Sequence, residues 1–128
     1  MSDIRDFAVV DLFCGIGGLT HGLIDEGFNV SAGVDFDETC KYAYTVNNNA
    51  NFLYKDVTEL TPEELNQLYP ENARKILVGC APCQPFSIYN YKNNNNEEQQ
   101  ANDNKWRLLY SFANLIEATL PEIVSMEN

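Results

Sequence analysis

An apolar run near the start of the sequence leads directly into a glycine-rich turn. Residues 7–13 are Phe-Ala-Val-Val-Asp-Leu-Phe, the pattern of a buried strand, and residues 14–18, Cys-Gly-Ile-Gly-Gly, follow at once. A helix is predicted next, with apolar residues at Leu19, Leu23 and Ile24. Glycines in such a turn permit positive φ and let a ligand approach the backbone at a helix N-terminus. Alone this is a weak signal, because glycines also make ordinary tight turns.

A second strand is predicted over Phe28 to Val34, and it ends at Asp35. Asp35 lies 20 residues beyond Gly15, the spacing of an acidic residue that binds ribose hydroxyls. The alternative is that an aspartate here only caps the next helix. We assign that cap to Asp37, which leaves Asp35 for a ligand. Phe36 either faces an adenine ring or packs against the sheet.

Three more strands follow, at residues 51–54, 75–78 and 122–126. The carboxylate of Asp56, after the third strand, could accept from an adenine amino group, and residues 61–64, Thr-Pro-Glu-Glu, form a capping box. Five strands joined by four helical crossovers predict an α/β fold with a doubly wound, Rossmann-like, mostly parallel sheet. The fifth strand is expected to be an unpaired edge with exposed apolar residues.

Residues 79–87, Gly-Cys-Ala-Pro-Cys-Gln-Pro-Phe-Ser, follow the fourth strand. Pro82 and Pro85 fix φ on both sides of Cys83, so its thiol is predicted on a stiff loop at a strand's carboxyl end. Cys83 could be a buried core cysteine, half of a redox pair with Cys80, or a nucleophile for covalent catalysis. The redox interpretation fits poorly, because thioredoxin-like folds lack the earlier glycine turn and Pro85 stands where their helix should begin.

A polar, asparagine-rich segment is predicted as a loop over residues 88–104, either a lid or surface disorder. A helix follows, and its apolar residues are expected on one face: Trp106, Leu108, Leu109, Phe112, Ala113, Leu115 and Ile116.

Composition limits the possible partners of this chain. Its 128 residues suffice for one domain, and its net charge is −11, with eight basic and nineteen acidic residues. Proteins that bind duplex DNA present clustered Lys and Arg, so either nucleic acid is not the substrate or the DNA-binding surface lies on other polypeptide. The four cysteines are expected to be reduced, and with one histidine, His21, we expect no metal site. Without a leader or a spanning segment, we expect a cytoplasmic protein and no membrane.

Several ordered segments together resemble the DNA (cytosine-5) methyltransferases. Residues 11–18 are similar to the family's S-adenosylmethionine loop, residues 79–87 to its catalytic loop, and residues 127–128 to the start of its Glu-Asn-Val segment. The resemblance implies these cofactor-binding residues: Phe13, Gly15, Ile16, Gly17, Gly18, Asp35, Phe36, Asp56, Val57 and Leu108. It implies these catalytic residues: Cys83, Glu127, Gln84 and Pro82.

The implied reaction is methyl transfer from S-adenosylmethionine to carbon 5 of a cytosine flipped out of duplex DNA, through a covalent Cys83 adduct. The chain departs from the pattern at Lys105-Trp106, where many members have Arg-Gly. The family's later elements are also missing. The resemblance therefore implies that residues 1–128 are a partial catalytic domain, truncated after the fifth strand, whose target-recognition domain lies on a second polypeptide. Two alternatives are an inactive cofactor-binding remnant or regulatory subunit, and a different S-adenosylmethionine or nucleotide binder that uses Asp35 without covalent chemistry.

Overall fold

Strands and helices alternate along the chain. The computed structural model describes the backbone of residues 3–81 and 96–127 and the side chains of residues 3–81 and 106–127. The strands are β1 (Phe7–Leu12), β2 (Asn29–Asp35), β3 (Asn51–Tyr54), β4 (Arg74–Cys80) and β5 (Ile123–Glu127). The α-helices are α1 (Gly18–Asp25), α2 (Lys41–Asn48), α3 (Pro62–Gln67) and α4 (Asn96–Thr119). Short 3-10 turns cover Ile4–Asp6, Glu38–Cys40 and Val57–Glu59.

The five strands form one parallel sheet in the order β3-β2-β1-β4-β5. β1 is central, and the order reverses on either side of it, which is the arrangement of a doubly wound fold. The predicted fold class is therefore confirmed. The predicted strands also agree with those observed to within two residues. For the central strands β1 and β4 the agreement follows because strands buried on both faces give continuous apolar runs.

Apolar residues cover both faces of the central strands. On one face, Val10 and Leu77 pack in a cluster with Leu65 of α3 and Phe112 of α4. On the other face, Val9, Val30, Ile76 and Val78 form a second cluster, against which Leu23 and Ile24 of α1 pack. Packed side chains thus cover both faces of the sheet at β1 and β4. A ligand would therefore have to bind at the ends of the strands.

Helix α4 corrects two predictions. It begins at Asn96, so the second part of the segment predicted as a loop over residues 88–104 is helical, and residues 88–95 lie outside the described residues. Its buried face is formed by Phe112, Leu115 and Thr119, whereas Trp106 is 48% exposed and Ala113 is also exposed. At 100° per residue, Ala113 and Trp106 lie about 100–120° away from Phe112, too far to share its face.

The outer strand β5 pairs only with β4 among the described strands. All five of its residues are exposed, including Ile123, Val124 and Met126. This confirms the predicted apolar edge, which is a surface on which another strand could pair. Within the described part of the chain, no helix has the length and apolar character that crossing a bilayer requires.

Candidate active site at the carboxyl edge of the sheet

The carboxyl ends of the parallel strands gather the predicted site residues at one edge. Phe13 follows β1, Asp35 ends β2, Asp56 follows β3, Cys80 ends β4 and Glu127 ends β5. Because all five strands run in the same direction, these residues come from distant parts of the sequence to one side of the sheet. Open α/β sheets bind ligands at this edge, where the strand order reverses.

A cavity of about 560 Å³ opens at this edge. Its walls include predicted cofactor residues: Phe13, Asp35, Phe36, Asp56, Val57 and Leu108. Sequence reasoning missed three further lining residues, Thr58, Cys80 and Arg107. Thr58 and Cys80 adjoin predicted residues or loops, but nothing in the sequence singles out Arg107, which adds a positive charge to a wall that carries two aspartates. The volume lies within the range of sites for small molecules and cofactors.

The glycine turn between β1 and α1 has an unusual backbone. Gly15 and Gly17 have φ of 54° and 92°, which glycine adopts without steric cost, as predicted from the sequence. Phe13 also lies in the left-handed region, with φ of 57°, which the sequence did not indicate. None of the four predicted turn residues lines the cavity, and Ile16 is 65% exposed. The turn therefore lies beside the cavity, with Phe13 as its contribution to the wall.

Asp35 joins the loops that follow β1 and β2. Its Oδ2 accepts a 2.8 Å hydrogen bond from the backbone N–H of Gly15, and its Oδ1 accepts one of 2.8 Å from that of Asp37. Each carboxylate oxygen can accept a second hydrogen bond, so the side chain retains acceptor capacity for a ligand. The two bonds hold the carboxylate in a single orientation at the cavity wall.

Two other aspartates cap 3-10 turns. Asp37 accepts 3.0 Å and 2.6 Å bonds from Thr39 N and Oγ1, so the predicted cap is confirmed, and these bonds lower the pKa of Asp37. Asp56 caps Val57–Glu59 in the same way, with Oδ1 accepting from Thr58 N and Oγ1 at 2.9 and 2.8 Å. The capping role of Asp56 was not predicted. It leaves Oδ2 as the oxygen available to a ligand.

Phe36 projects from the sheet instead of packing against it. The side chain is 67% exposed and stacks on Tyr54, with ring centroids 6.2 Å apart and planes inclined by 30°. Stacked aromatic pairs of this kind are favourable by about 0.5–1.5 kcal/mol beyond their buried area. The ring also lines the cavity, so a flat ligand could contact it there.

The segment with the candidate nucleophile, Cys83, follows β4 in the sequence. Pro82, Cys83 and Gln84 lie outside the described residues. The register places Cys80 beside Glu127, across β4 and β5, so the carboxylate predicted to act in catalysis lies at the strand end from which the Cys83 loop departs. Among the described residues, no cluster of three His, Cys, Asp or Glu could hold a metal ion.

Two of the described cysteines, Cys14 and Cys80, lie near this edge of the sheet. Cys14 is buried below the glycine turn, and its burial raises the pKa of its thiol. A thiol that resists ionisation is a poor nucleophile, which disfavours Cys14 for covalent chemistry. Cys80, in contrast, is exposed at the cavity.

A buried carboxylate under the turn was not predicted. Asp11, in the middle of the apolar β1 run, is 1% exposed, and its Oδ2 accepts a 2.7 Å hydrogen bond from Thr20 Oγ1. Oδ1 has no hydrogen-bond partner among the described residues. Burial raises the pKa of Asp11 to about 6. The only sequence signal was a charged residue inside an otherwise apolar strand.

Comparison with known proteins identifies the family. The profile of the C-5 cytosine-specific DNA methylases matches residues 7–128. The chain belongs to this family. It is 55% identical over 121 residues to the type II methylase M.HgiDII of Herpetosiphon aurantiacus, covering 94% of this chain and 32% of that protein. It is 29% identical over 121 residues to the type II methyltransferase M.DdeI of Desulfomicrobium norvegicum, covering 94% of this chain and 27% of that protein.

Solved structures of methyltransferases share the fold. The S. pombe Dnmt2 methyltransferase superposes with a TM-score of 0.66 at 20% sequence identity, covering 92% of this chain and 34% of the other. The chain thus spans about a third of the length of these two type II relatives. The family assignment agrees with the resemblance found in the sequence.

Proposed function

We propose that the chain is the cofactor-binding and nucleophile-bearing part of a DNA (cytosine-5) methyltransferase. The methyl donor would be S-adenosylmethionine, and the acceptor would be carbon 5 of a cytosine flipped out of duplex DNA. One observation carries the proposal: the parallel sheet brings the cavity lined by Asp35 and Asp56 to the edge at which Cys80 pairs in register with Glu127. The predicted cofactor residues and Glu127, the described member of the predicted catalytic set, therefore lie at the same edge of the sheet.

The residues around the cavity fit an adenosyl cofactor. Asp35 retains acceptor capacity on both oxygens, which suits a pair of ribose hydroxyls. Phe36 offers an exposed ring face for adenine, and Asp56 Oδ2 could accept from the adenine amino group. Val57 and Leu108 add apolar wall. When bound there, S-adenosylmethionine would supply an electrophilic methyl group.

Cys83 would activate the cytosine. Aromatic carbon 5 is a poor nucleophile, but addition of the Cys83 thiolate to carbon 6 would convert the ring into an enamine that is nucleophilic at carbon 5. Glu127 would hold and protonate ring nitrogen 3, which neutralises the charge that develops on the ring. Pro82 and Gln84 would set the geometry of the loop that carries the thiol.

Completion of the reaction requires a base and a closed site. After methyl transfer, a base would remove the carbon 5 proton, and the electrons of that bond would restore the ring double bond as the Cys83 thiolate leaves. We propose that the segment over residues 88–104, which includes the first part of α4, acts as the lid over the flipped base and excludes water.

Binding of duplex DNA would depend on additional polypeptide. The chain carries a net charge of −11, and flipping a base costs a few kcal/mol that contacts to the duplex must offset. The exposed apolar edge of β5 offers a place for a further strand to pair. We propose that a second polypeptide, carrying the target-recognition domain, pairs there, and that the assembly acts on DNA in the cytoplasm.

The alternative is a cofactor-binding remnant or regulatory subunit without activity. The same cavity would then bind S-adenosylmethionine, but no covalent intermediate with DNA would form. This alternative and the proposed enzyme differ in the fate of Cys83, which makes Cys83 the residue to test.

The test is to trap a covalent complex with duplex DNA that contains 5-fluorocytosine, in the presence of S-adenosylmethionine. The reaction also contains the protein encoded by the reading frame that adjoins the gene of this chain, as the candidate second polypeptide. The last step requires loss of a proton from carbon 5, and fluorine at that carbon blocks it. An active enzyme should therefore accumulate a covalent complex with the DNA. Mass spectrometry should locate the adduct on Cys83, and Cys83→Ser should abolish it. Cofactor binding without any adduct would favour the regulatory subunit.

A further inference from the structure

Tyr44 of α2 is wedged between the glycine turn and β2. Its side chain is fully buried, and a Cβ atom placed on Gly33 would lie 2.5 Å from its Cζ and Oη atoms. A Cβ placed on Gly17 would lie 2.7 Å from Tyr44 Cδ2 and 2.4 Å from Asn48 Nδ2. Real Cβ atoms do not approach other atoms so closely. Glycine at positions 17 and 33 therefore makes room for the tyrosine ring.

The Tyr44 hydroxyl starts a buried chain of hydrogen bonds. It lies 3.1 Å from Thr20 Oγ1, which donates a 2.7 Å bond to Asp11 Oδ2. Thr20 has a single hydroxyl hydrogen, which it donates in the bond to Asp11, so Tyr44 must be the donor in the bond to Thr20. All three side chains are at most 1% exposed. Hydrogen bonds in such a chain strengthen one another, and an unpaired member would be costly.

The backbone held by this chain lies next to the cofactor cavity. Thr20 is in the first turn of α1, directly after the turn at Gly17 and Gly18, and Tyr44 contacts that turn from α2. The turn adopts left-handed φ values at Gly15 and Gly17, so regular secondary structure does not fix its shape. Its Gly15 N–H is the donor that orients Asp35. The shape of the turn therefore depends on the side chains packed beneath it.

We propose that Tyr44 and Thr20 are positioning residues for the cofactor. Neither lines the cavity. Through the Tyr44 ring and the hydroxyl chain to Asp11, they hold the glycine turn in register with β2, and this places Gly15 and Asp35 for cofactor binding. The inference rests on the proposed binding of S-adenosylmethionine at this edge, and it extends the site to two side chains outside the cavity wall.

Calorimetric titration of the 128-residue chain with S-adenosylmethionine tests the proposal. Tyr44→Phe keeps the ring and removes the first donor, and Thr20→Val breaks the chain at its centre. Each should raise the Kd about 3- to 10-fold, the effect of one neutral hydrogen bond. Thr20→Ser, which keeps the hydroxyl, should bind nearly as the wild type does. The double variant should lose no more than the worse single variant, because the two hydroxyls act as one chain.

Two controls separate positioning from general stability. Tyr42→Phe, at a 78% exposed position of the same helix, should leave the Kd unchanged. Denaturant unfolding of every variant shows whether it is folded, because a variant that is less stable yet almost entirely folded keeps the wild-type Kd unless the site itself has changed. Wild-type Kd values for folded Tyr44→Phe and Thr20→Val would overturn the proposal.

Hydrogen exchange of the ligand-free chain gives a second test that does not depend on cofactor binding. The amides of residues 15–20 should exchange faster in Thr20→Val than in Thr20→Ser or the wild type, because the turn loses its support. If the wild type failed to bind S-adenosylmethionine, the proposed function would be wrong, while exchange would still decide whether the chain positions the turn. Equal exchange in the three proteins would refute positioning.

Discussion

The backbone N–H of Gly15 donates a 2.8 Å hydrogen bond to Oδ2 of Asp35. These two residues lie 20 positions apart in the sequence, at the ends of neighbouring strands, and were assigned from the sequence to one cofactor site. Because Gly15 bonds directly to Asp35, the glycine turn fixes the orientation of the Asp35 carboxylate. Any change at Asp35 therefore affects the turn and the proposed ribose contact together.

Replacement of Asp35 should weaken cofactor binding. Asp35→Ala removes the proposed ribose acceptor and should cost about 1–3 kcal/mol of binding free energy, as expected for a charge-assisted hydrogen bond. Calorimetric titration with S-adenosylmethionine measures the change. Glu38→Ala removes a nearby exposed carboxylate that does not line the cavity, and it should bind as the wild type does. Equal affinities for wild type and Asp35→Ala would contradict the assignment.

Cys83 should be the cysteine that methyl transfer requires. In an active assembly with the second polypeptide, Cys83→Ser should abolish incorporation of methyl groups into DNA, because a serine hydroxyl is scarcely ionised at neutral pH. Cys80→Ser should retain most activity, although Cys80 lines the cavity. The opposite result, with Cys80 essential and Cys83 dispensable, would return the redox pair as the interpretation of this loop.

The isolated chain should not methylate duplex DNA. Its net charge of −11 should repel the phosphate backbone, and the contacts that offset base flipping would come from the second polypeptide. Tritiated methyl transfer to DNA, with and without the product of the adjoining reading frame, measures this. The Cys83→Ser chain plus that product serves as the negative control. Robust sequence-specific methylation by the 128 residues alone would refute the expectation.

A charge on β5 should block pairing at the sheet edge. Val124→Lys places a strongly hydrated cation on an exposed edge strand, which natural proteins use to prevent pairing between edges. We expect less self-association of the isolated chain in light scattering, and also weaker complementation by the second polypeptide in the methylation assay. Tyr42→Lys, on the exposed side of α2, is the matched control and should change neither. Undiminished complementation by Val124→Lys would place the interface elsewhere.

Asp11 should make the stability of the chain fall as pH rises through about 6. Burial raises the pKa of Asp11 from 3.8 to about 6, so the folded state favours its protonated form. The associated stabilisation is complete below pH 3.8 and is lost as pH rises through the folded pKa. At about 1.36 kcal/mol per pKa unit, the loss is about 3 kcal/mol.

Urea unfolding of wild type and Asp11→Asn at pH 5 and pH 7.5 measures about half of this loss, because the other half occurs below pH 5. The exposed carboxylates of Asp37, Glu64 and Glu122 have lowered pKa values, and their contributions are present in both proteins. The difference between the two proteins therefore isolates Asp11, and the wild type should lose more stability between the two pH values. The same pH dependence in both would show that Asp11 does not titrate in this range.

The parts of the fold that could be predicted from the sequence are those that depend on interactions between residues close together in the chain. The apolar run of β1 depends on neighbours in the sequence, and so does the capping box of Thr61 and Glu64. In this box Thr61 Oγ1 accepts a 3.1 Å bond from Glu64 N, and Thr61 N donates a 3.2 Å bond to Glu64 Oε1. The 20-residue interval from Gly15 to Asp35 is likewise the length of one strand-helix-strand unit. These features could be located without knowing how the sheet is ordered.

Features that depend on tertiary contacts could not be predicted in this way. Asp11 is tolerated in the core because Thr20, 9 residues away, and Tyr44, a further 24 residues on, complete its hydrogen-bond chain. Exposure of Trp106 depends on which face of α4 meets the sheet. Arg107 reaches the cavity wall only because α4 packs beside β4, where Gly79 contacts Phe112.

The pairing of β1 with β4 fixes the distance between the ends of two strands that lead to the proposed reaction site. The glycine turn continues from β1 and the Cys83 loop continues from β4, and hydrogen-bonded strands lie about 4.8 Å apart whatever side chains they carry. Side-chain replacements in the sheet therefore cannot change the spacing between the two strand ends after which the glycine turn and Cys83 follow. Evolution or engineering that adjusts the proposed transfer distance would have to act on the residues that follow these two strand ends in the sequence.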